Sequence, residues 1–549
     1  MDRRAFLSAV AAGWLVDAAA PPRRAMAGRI VGASHAAGHL LRDGGPAAAA
    51  SKTDAPPARA DVVIVGSGVS GLSAAWRLAA AGLDIVVLDL EPRPGGTSAW
   101  GDDGPVPYPW GAHYLAAPNP EARAALRLLQ EMGTVTGWDA AGRPVFNPLE
   151  LCHAPQERLF YQGEWHPGLV PVDELSAEEL AEVARFHEIE ADLTGRVGSD
   201  GRAAFQIPLD QSSRDPDLLA LDAISMQAWL DREGFRTPFL RWYVRYAMLD
   251  DFGGASEDIS AWAGLHYFAA RKLRTAELEG SHFLVWPQGN GRLVQALLER
   301  ARPRLLLGAL ATAVRPLPAG RVEVDYVDVA RGEGRRLEAR AVVLATPAFV
   351  TRRLFPEAAS RGLPARASSP WLVANLHVED ALNPDHPWDS VLYEAEGLGY
   401  VDAAHQLTDL AATARPGAGL LPLSRRTVLT YYRAWGEADV AAARAALLAA
   451  PWEGLAEGVL RDLAPAHPHL HDKVSRMDLM IWGHAMPRPR PGFLGPRPFE
   501  APCALDARVV WAHVDQSGMA LFEEAQARGV RAAEVVAQAM GVVLGETWL

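Results

Sequence analysis

The stretch that most constrains this 549-residue chain is Asp61-Val-Val-Ile-Val-Gly-Ser-Gly-Val-Ser-Gly71. Its run of Val62, Val63, Ile64 and Val65 is short, apolar and β-branched, as befits a parallel strand buried on both faces. Gly66, Gly68 and Gly71 follow as G-x-G-x-x-G, with Ser70 among them. In that pattern the first glycine allows a tight turn, the second lets backbone approach a pyrophosphate, and the third lets helix pack on strand. A helical run follows (Leu72, Ala75, Trp76, Leu78), aiming its N-terminal N–H groups at the phosphates. Gly82 ends it, residues 85–88 make a second strand, and Asp89 closes that strand where a carboxylate reaches a ribose hydroxyl. Three glycines alone are a weak signal in a chain that has 49 of them. The strand before, the helix after and the acid about twenty residues on supply the specificity of a dinucleotide site.

Downstream, Arg93-Pro-Gly-Gly-Thr97 and Pro109-Trp-Gly-Ala-His-Tyr114 resemble segments of the flavin amine oxidase superfamily that run beside the FAD pyrophosphate and then the flavin ring. That superfamily includes amine and polyamine oxidases, protoporphyrinogen oxidase and carotenoid desaturases. Trp286-Pro-Gln-Gly-Asn-Gly-Arg-Leu-Val294 resembles its turn re-entering the FAD domain, and Arg340-Ala-Val-Val-Leu-Ala-Thr-Pro347 its later nucleotide strand. Residues 508–533 resemble its closing strand and helix, with Glu524 and Arg528 at the family's usual Gly and Ser. The resemblance implies FAD contacts from Gly95, Gly96, Thr97, Trp110, Gly111 and Ala112. It implies further contacts from Val314, Ala345 and Thr346, and from Asp515, Met519 and Phe522 near the last helix. The cysteine that some members join to flavin is missing at that helix, so the implied FAD is non-covalent.

The implied fold class is α/β: a doubly wound Rossmann-type FAD domain with an inserted α+β substrate domain. The FAD domain is expected from residues 61–115, 283–367 and 475–549, and the substrate domain from 116–282 and 368–474. Two domains also suit the length. A net charge of −13 without a basic patch argues against a nucleic-acid partner. Cys152 and Cys503 have no metal-ligand spacing, and no metal site is expected.

Residues 1–27 resemble a twin-arginine signal: Arg3-Arg4, Phe6-Leu7, a modest apolar segment, then Ala25-Met-Ala27 as a cleavage site. The apolar segment is shorter than the ~20 residues that span a bilayer, so no transmembrane segment is expected. A flavoprotein folds around its cofactor before export, and this route carries folded cargo, so a periplasmic location follows. Residues 28–60, rich in Ala, Gly and Pro, read as a linker. Within it, residues 28–42 could dock a protein partner, and His35 and His39 stand at the i, i+4 spacing of a ligand pair.

Residues 121–281 turn helical and aromatic. Trp262 and His266 share one helical face. They read either as an aromatic wall over flavin with His266 able to take a proton, or as a packed helix interface. Asp250-Asp251 precedes Phe-Gly-Gly and reads as a turn. Amine oxidases of the family hold a water against the flavin with a lysine. Lys52, Lys272 and Lys473 lie off the expected strands, so Asn375 or His377 would have to serve.

As the resemblance implies, a small organic substrate gives a hydride to flavin N5, and O2 or a quinone takes the electrons. Three readings stay open: an amine or polyamine, for which acids should line the cavity; an apolar ring or polyene, for which the cavity should be apolar; and a flavin-bearing partner protein with little turnover.

Overall fold

The computed structural model describes residues 26–32, 34–44, 56–271, 283–318, 320–379, 387–405, 426–436, 439–496, 499 and 503–549. The glycine-motif strand forms as expected, spanning Ala58–Val65. It lies between two parallel neighbours, Ile85–Leu88 and the long strand Glu333–Leu344. Arg304–Leu306 extends the sheet on one side and Val509–Trp511 pairs with Glu333–Leu344. Arg321–Asp328 and Ala309–Leu317 follow antiparallel. Arg304–Leu306 and Ala309–Leu317 are separate strands because Gly308 turns the chain with φ +64°.

Helices Val69–Ala79, Gly291–Ala301 and Phe522–Ala539 cover one face of this sheet in a single apolar core. The first and last of them pack backbone against backbone: a Cβ on Gly529 would stand 2.1 Å from the Ser70 carbonyl oxygen.

The second sheet joins eight strands, and its centre is Ser368–Val378 between Val474–Pro487 and Thr427–Ala434. Residues 370–378 suggest a half-buried strand by their alternation, yet every residue of Ser368–Val378 is buried. The reason is cover on both faces. Trp371 meets an aromatic core that includes the helices Pro238–Phe252 and Ala261–Ala269. Leu372, Ala374 and Leu376 meet the helices Val440–Ala449 and Trp452–Leu463.

Two expected boundaries move. Val474–Pro487 pairs along nearly its whole length with Ser368–Val378, so it belongs to the substrate sheet; the nucleotide sheet resumes at Val509. Residues 27–32 and 34–43 are structured rather than linker. Ala27–Ile30 adds to Val474–Pro487 as a parallel edge strand, and His35–Asp43 is a helix closed by Gly44. The twin-arginine segment falls outside the described residues apart from its last two positions. Among the described residues no helix is long and apolar enough to cross a membrane, and no three metal-ligating side chains converge.

Candidate cofactor and substrate cavity

A cavity of about 480 Å³ runs between the two sheets. Its first end is the glycine turn. Gly66 has φ +107°, and a Cβ there would stand 2.5 Å from the Ala345 carbonyl oxygen. A Cβ on Gly71 would meet the Gly66 carbonyl oxygen at 2.0 Å, which is the close packing expected of the third glycine. Gly68 faces open space on the cavity wall, so nothing but a ligand limits approach to its backbone. Asp89 accepts from the Ser67 N–H at 2.6 Å and from the Glu91 N–H at 2.8 Å. Asp89 therefore braces the turn from a position on the cavity lining, and burial pushes its carboxyl up.

Gly66, Gly68, Ser70 and Asp89 line this end. Gly95, Gly96 and Thr97 line the next stretch, then Gly111 and Ala112. Ala345, Thr346, Asp515 and Phe522 complete it. Asp515 accepts from the Ala348 N–H at 2.8 Å; burial opposes its charge, but neighbouring His513 holds the carboxyl below its usual value. Asn290 Oδ1, also on the lining, is buried without a hydrogen-bond partner among the described residues. An orphaned acceptor, an open glycine backbone and a half-buried acid at the end of the second strand fit a dinucleotide.

Four expected cofactor residues lie off the cavity. Gly71 sits beneath the turn. Trp110 is buried edge-on against Tyr108; its N–H donates to the Ala99 carbonyl at 2.9 Å and its carbonyl accepts from Trp482 Nε1 at 2.7 Å. Val314 is buried in the nucleotide-sheet core, and Met519 in the aromatic core of the substrate domain. Both free cysteines, Cys152 and Cys503, are off the lining too.

The second end is built from side chains. Trp371, Tyr432, Trp482 and Tyr114 give it aromatic walls, and Asp250, Asp251, Arg271 and Glu523 give it charge. Arg271 donates to Asp251 Oδ1 at 2.7 Å and lies 4.3 Å from the Tyr267 ring centre. Asp250 makes no hydrogen bond to any described residue. Burial, then the neighbouring Asp251 charge, pushes its carboxyl up to about 7. Burial pushes Glu523 up to about 7 as well. Tyr432 donates to Asp389 Oδ1 at 2.9 Å behind the wall. Burial lowers the lining histidines His113 and His484 to about 4, so both are neutral at physiological pH.

The three candidate catalytic residues stand outside this lining. His266 is buried against Trp262, with ring centres 5.1 Å apart, and its Nε2 is 2.7 Å from the Gln206 carbonyl oxygen. The packed-interface reading describes its surroundings. Asn375 donates to the Pro109 carbonyl at 3.0 Å and accepts from Thr430 Oγ1 at 2.7 Å, tying the substrate sheet to the loop before Gly111. His377 packs edge-on against Tyr108 with Arg476 2.9 Å from its Nε2; burial and that guanidinium lower it to about 4. Asp250 and Asp251, read from sequence as a turn, lie in the last turn of the helix Pro238–Phe252. The turn begins only at Gly253, with φ +63°. The aromatic run from Phe239 through Tyr246 continues at helical period into the pair, and that signal would have placed them.

Comparison with known proteins agrees with this layout. Putrescine oxidase bound to putrescine shares 16% identity, covers 88% of this chain and 100% of its own, and superposes with a TM-score of 0.59. Cyclohexylamine oxidase from Brevibacterium oxydans IH-35A gives 16%, 88%, 99% and 0.60. A protein from Exiguobacterium sp. 255-15, solved as a candidate protoporphyrinogen oxidase, gives 16%, 88%, 99% and 0.55. At these identities the likeness is one of fold. D-amino acid dehydrogenases of Vibrio cholerae serotype O1 are 41% identical over 56 residues, or 10% of this chain and 13% of their own length. The sequence pattern of the family described as flavin containing amine oxidoreductase matches residues 69–537. A Rossmann-type nucleotide domain carrying an inserted α+β substrate domain, matched over that span, makes this chain a member of the flavin containing amine oxidoreductase family.

Proposed function

We propose that the chain binds FAD non-covalently and oxidises an amine, passing the electrons to O2 or a quinone. One observation carries the choice of substrate: carboxylates of Asp250, Asp251 and Glu523 stand among aromatic walls at the far end of the dinucleotide cavity. An apolar ring or polyene has no use for three acids on its cavity wall, one buried and two half-buried, and withdrawing them from water costs stability. An ammonium ion does. Asp251 is already committed to Arg271, which leaves Asp250 and Glu523; of these Asp250, which interacts with Tyr432 of the aromatic wall, is the one we assign to hold the ammonium and accept its proton. A carboxyl titrating near 7 is suited to that exchange.

FAD in this cavity supplies two-electron chemistry, accepting a hydride from the carbon beside the amine nitrogen. The protein's part is to orient that carbon. Trp371, Tyr432 and Trp482 supply flat apolar surface, and Asp250 fixes the nitrogen. The imine product leaves and takes up water to give a carbonyl compound and ammonia or a shorter amine.

The test is anaerobic bleaching of the oxidised flavin by polyamines, amino acids and porphyrinogens in turn. Bleaching by amines is the expected result. Bleaching by porphyrinogens alone would move the substrate to the apolar-ring class, and a purified protein without flavin would overturn the cofactor assignment. Readmitting air then separates oxidase from dehydrogenase. Export is part of the same proposal, supported by Arg3-Arg4 and the apolar run after them. Replacing both arginines with lysine should retain the protein in the cytoplasm; unchanged periplasmic recovery would refute it.

A further inference from the structure

The segment expected as a passive linker or a partner's docking site is instead seated on both halves of its own chain. Its first part belongs to the substrate domain. Ala27–Ile30 pairs residue by residue with Arg476 to Leu479, and the Val31 N–H extends the ladder to the Leu479 carbonyl at 2.7 Å. The seat is shaped for it. A Cβ on Gly28 would stand 2.1 Å from the Met477 carbonyl oxygen and 2.4 Å from the Trp452 ring. Arg29 adds an ion pair to the buried Asp478 at 3.9 Å.

Its second part belongs to the nucleotide domain. The Ser34 N–H donates to one oxygen of Glu91 at 2.8 Å, and Ser34 Oγ donates to the other at 2.9 Å. Glu91 lines the cavity, and its own N–H is the donor that braces Asp89. The helix His35–Asp43 then lies along Ala309–Leu317, with Leu41 in the nucleotide-sheet core and Gly38 packed near Leu90. One short segment thus crosses from the edge of one sheet to the Asp89 corner of the other.

We infer that residues 27–44 form a strap that closes the cofactor site, anchored by Ala27–Ile30 on the substrate domain and latched by Ser34 onto Glu91 beside Asp89. This rests on the FAD reading above. Asp89 and Glu91 line the cavity and Ser34 holds Glu91 in place, so latching the strap and holding FAD favour one another, and FAD leaves through the unlatched form. The coupling is mutual, as linkage requires.

The test uses the full-length flavoprotein. FAD release is followed by the rise in flavin fluorescence on dilution, for wild type, Glu91→Ala, Gly28→Val and the double variant. Glu91→Ala removes the latch. Gly28→Val unseats the anchor, far from the cavity and on the other domain. The expected result is release at least ~5-fold faster in each single variant, with the double no faster than the faster single, because both open one element. In parallel, amides of residues 27–43 should exchange more slowly with FAD bound than after FAD is stripped. Wild-type release from Gly28→Val, or exchange indifferent to FAD, overturns the strap. A wild-type protein that purifies without flavin fails differently, overturning the cofactor assignment itself.

Discussion

At one end of the cavity, Gly66, Gly68, Gly95 and Gly96 offer backbone to a ligand; at the other, Asp250, Arg271, Tyr432 and Trp482 offer side chains. The first end is built mainly within residues 66–97, and its geometry is enforced by sterics: a Cβ on Gly66 or Gly71 would overlap a carbonyl. The second is gathered from a helix end, the residue two positions past another helix, and two strands of the substrate sheet. Backbone-built sites dictate which residues are tolerated next to each other. Side-chain-built sites dictate only what meets after folding. The two ends should therefore fail differently.

The largest effect is expected at the backbone end. Gly68 has extended backbone, and a side chain there meets no protein atom, so Gly68→Val should fold. It would nonetheless fill the phosphate path and weaken FAD binding by ~100-fold or more, about 3 kcal/mol. A flavin titration of the folded variant checks this, and tight binding would break the comparison.

At the side-chain end an effect of comparable size falls on stability instead of on cofactor binding. Asp251→Asn leaves the Arg271 guanidinium in the cavity without its partner. Removing one member of a buried pair costs about 3–5 kcal/mol, to be read from denaturant unfolding with FAD content monitored separately.

Legibility followed the same division. The strand, turn and helix at 58–79, the second strand at 85–88 and the acid after it stand where the sequence put them, since each is fixed by neighbours in the chain. Met519 shows the limit of carrying residues over by resemblance: it lies in the aromatic core and not on the cavity lining. His266, Asn375 and His377 were chosen for their chemistry, and the fold uses that chemistry to join elements instead. Each hydrogen-bonds a group outside the cavity, and in none of the three cases does the partner lie nearby in sequence. Asp250-Asp251 was obscured by the Phe-Gly-Gly after it, which ends a helix rather than making a turn of the acids. The seat for residues 27–43 was invisible because it consists of an edge strand and one carboxylate from distant parts of the chain.

A pH experiment sharpens the contrast further. Asp250 titrates near 7 in the folded chain and near 4 when unfolded, so the native state keeps a proton that the unfolded state has released. Wild-type stability should therefore fall as pH rises from about 4 to about 7, with no further loss from this group above that. Asp250→Asn does not titrate, so its Tm relative to wild type should climb through that window and level off. A constant difference from pH 4 to pH 8 would place the carboxyl in water.

The smallest functional effect is expected at His377. Its loss removes a contact to Arg476 worth about 1–2 kcal/mol of stability. Reduction of the flavin by substrate should be unchanged, because His377 is off the cavity lining; a large drop in that rate would restore it to the catalytic set.

The most direct measurement is the anaerobic rate of flavin reduction by an amine, wild type against Asp250→Asn, by rapid mixing across pH 6–9. If Asp250 holds the ammonium, the variant should need ~10–100-fold more amine to reach half-maximal rate, the worth of a hydrogen bond to a charged group. Wild type should also lose amine affinity below about pH 7, as Asp250 takes up its proton, while the variant shows no such limb. Equal rates and equal pH profiles would contradict the account, and move the amine, or the substrate class itself, away from this end of the cavity.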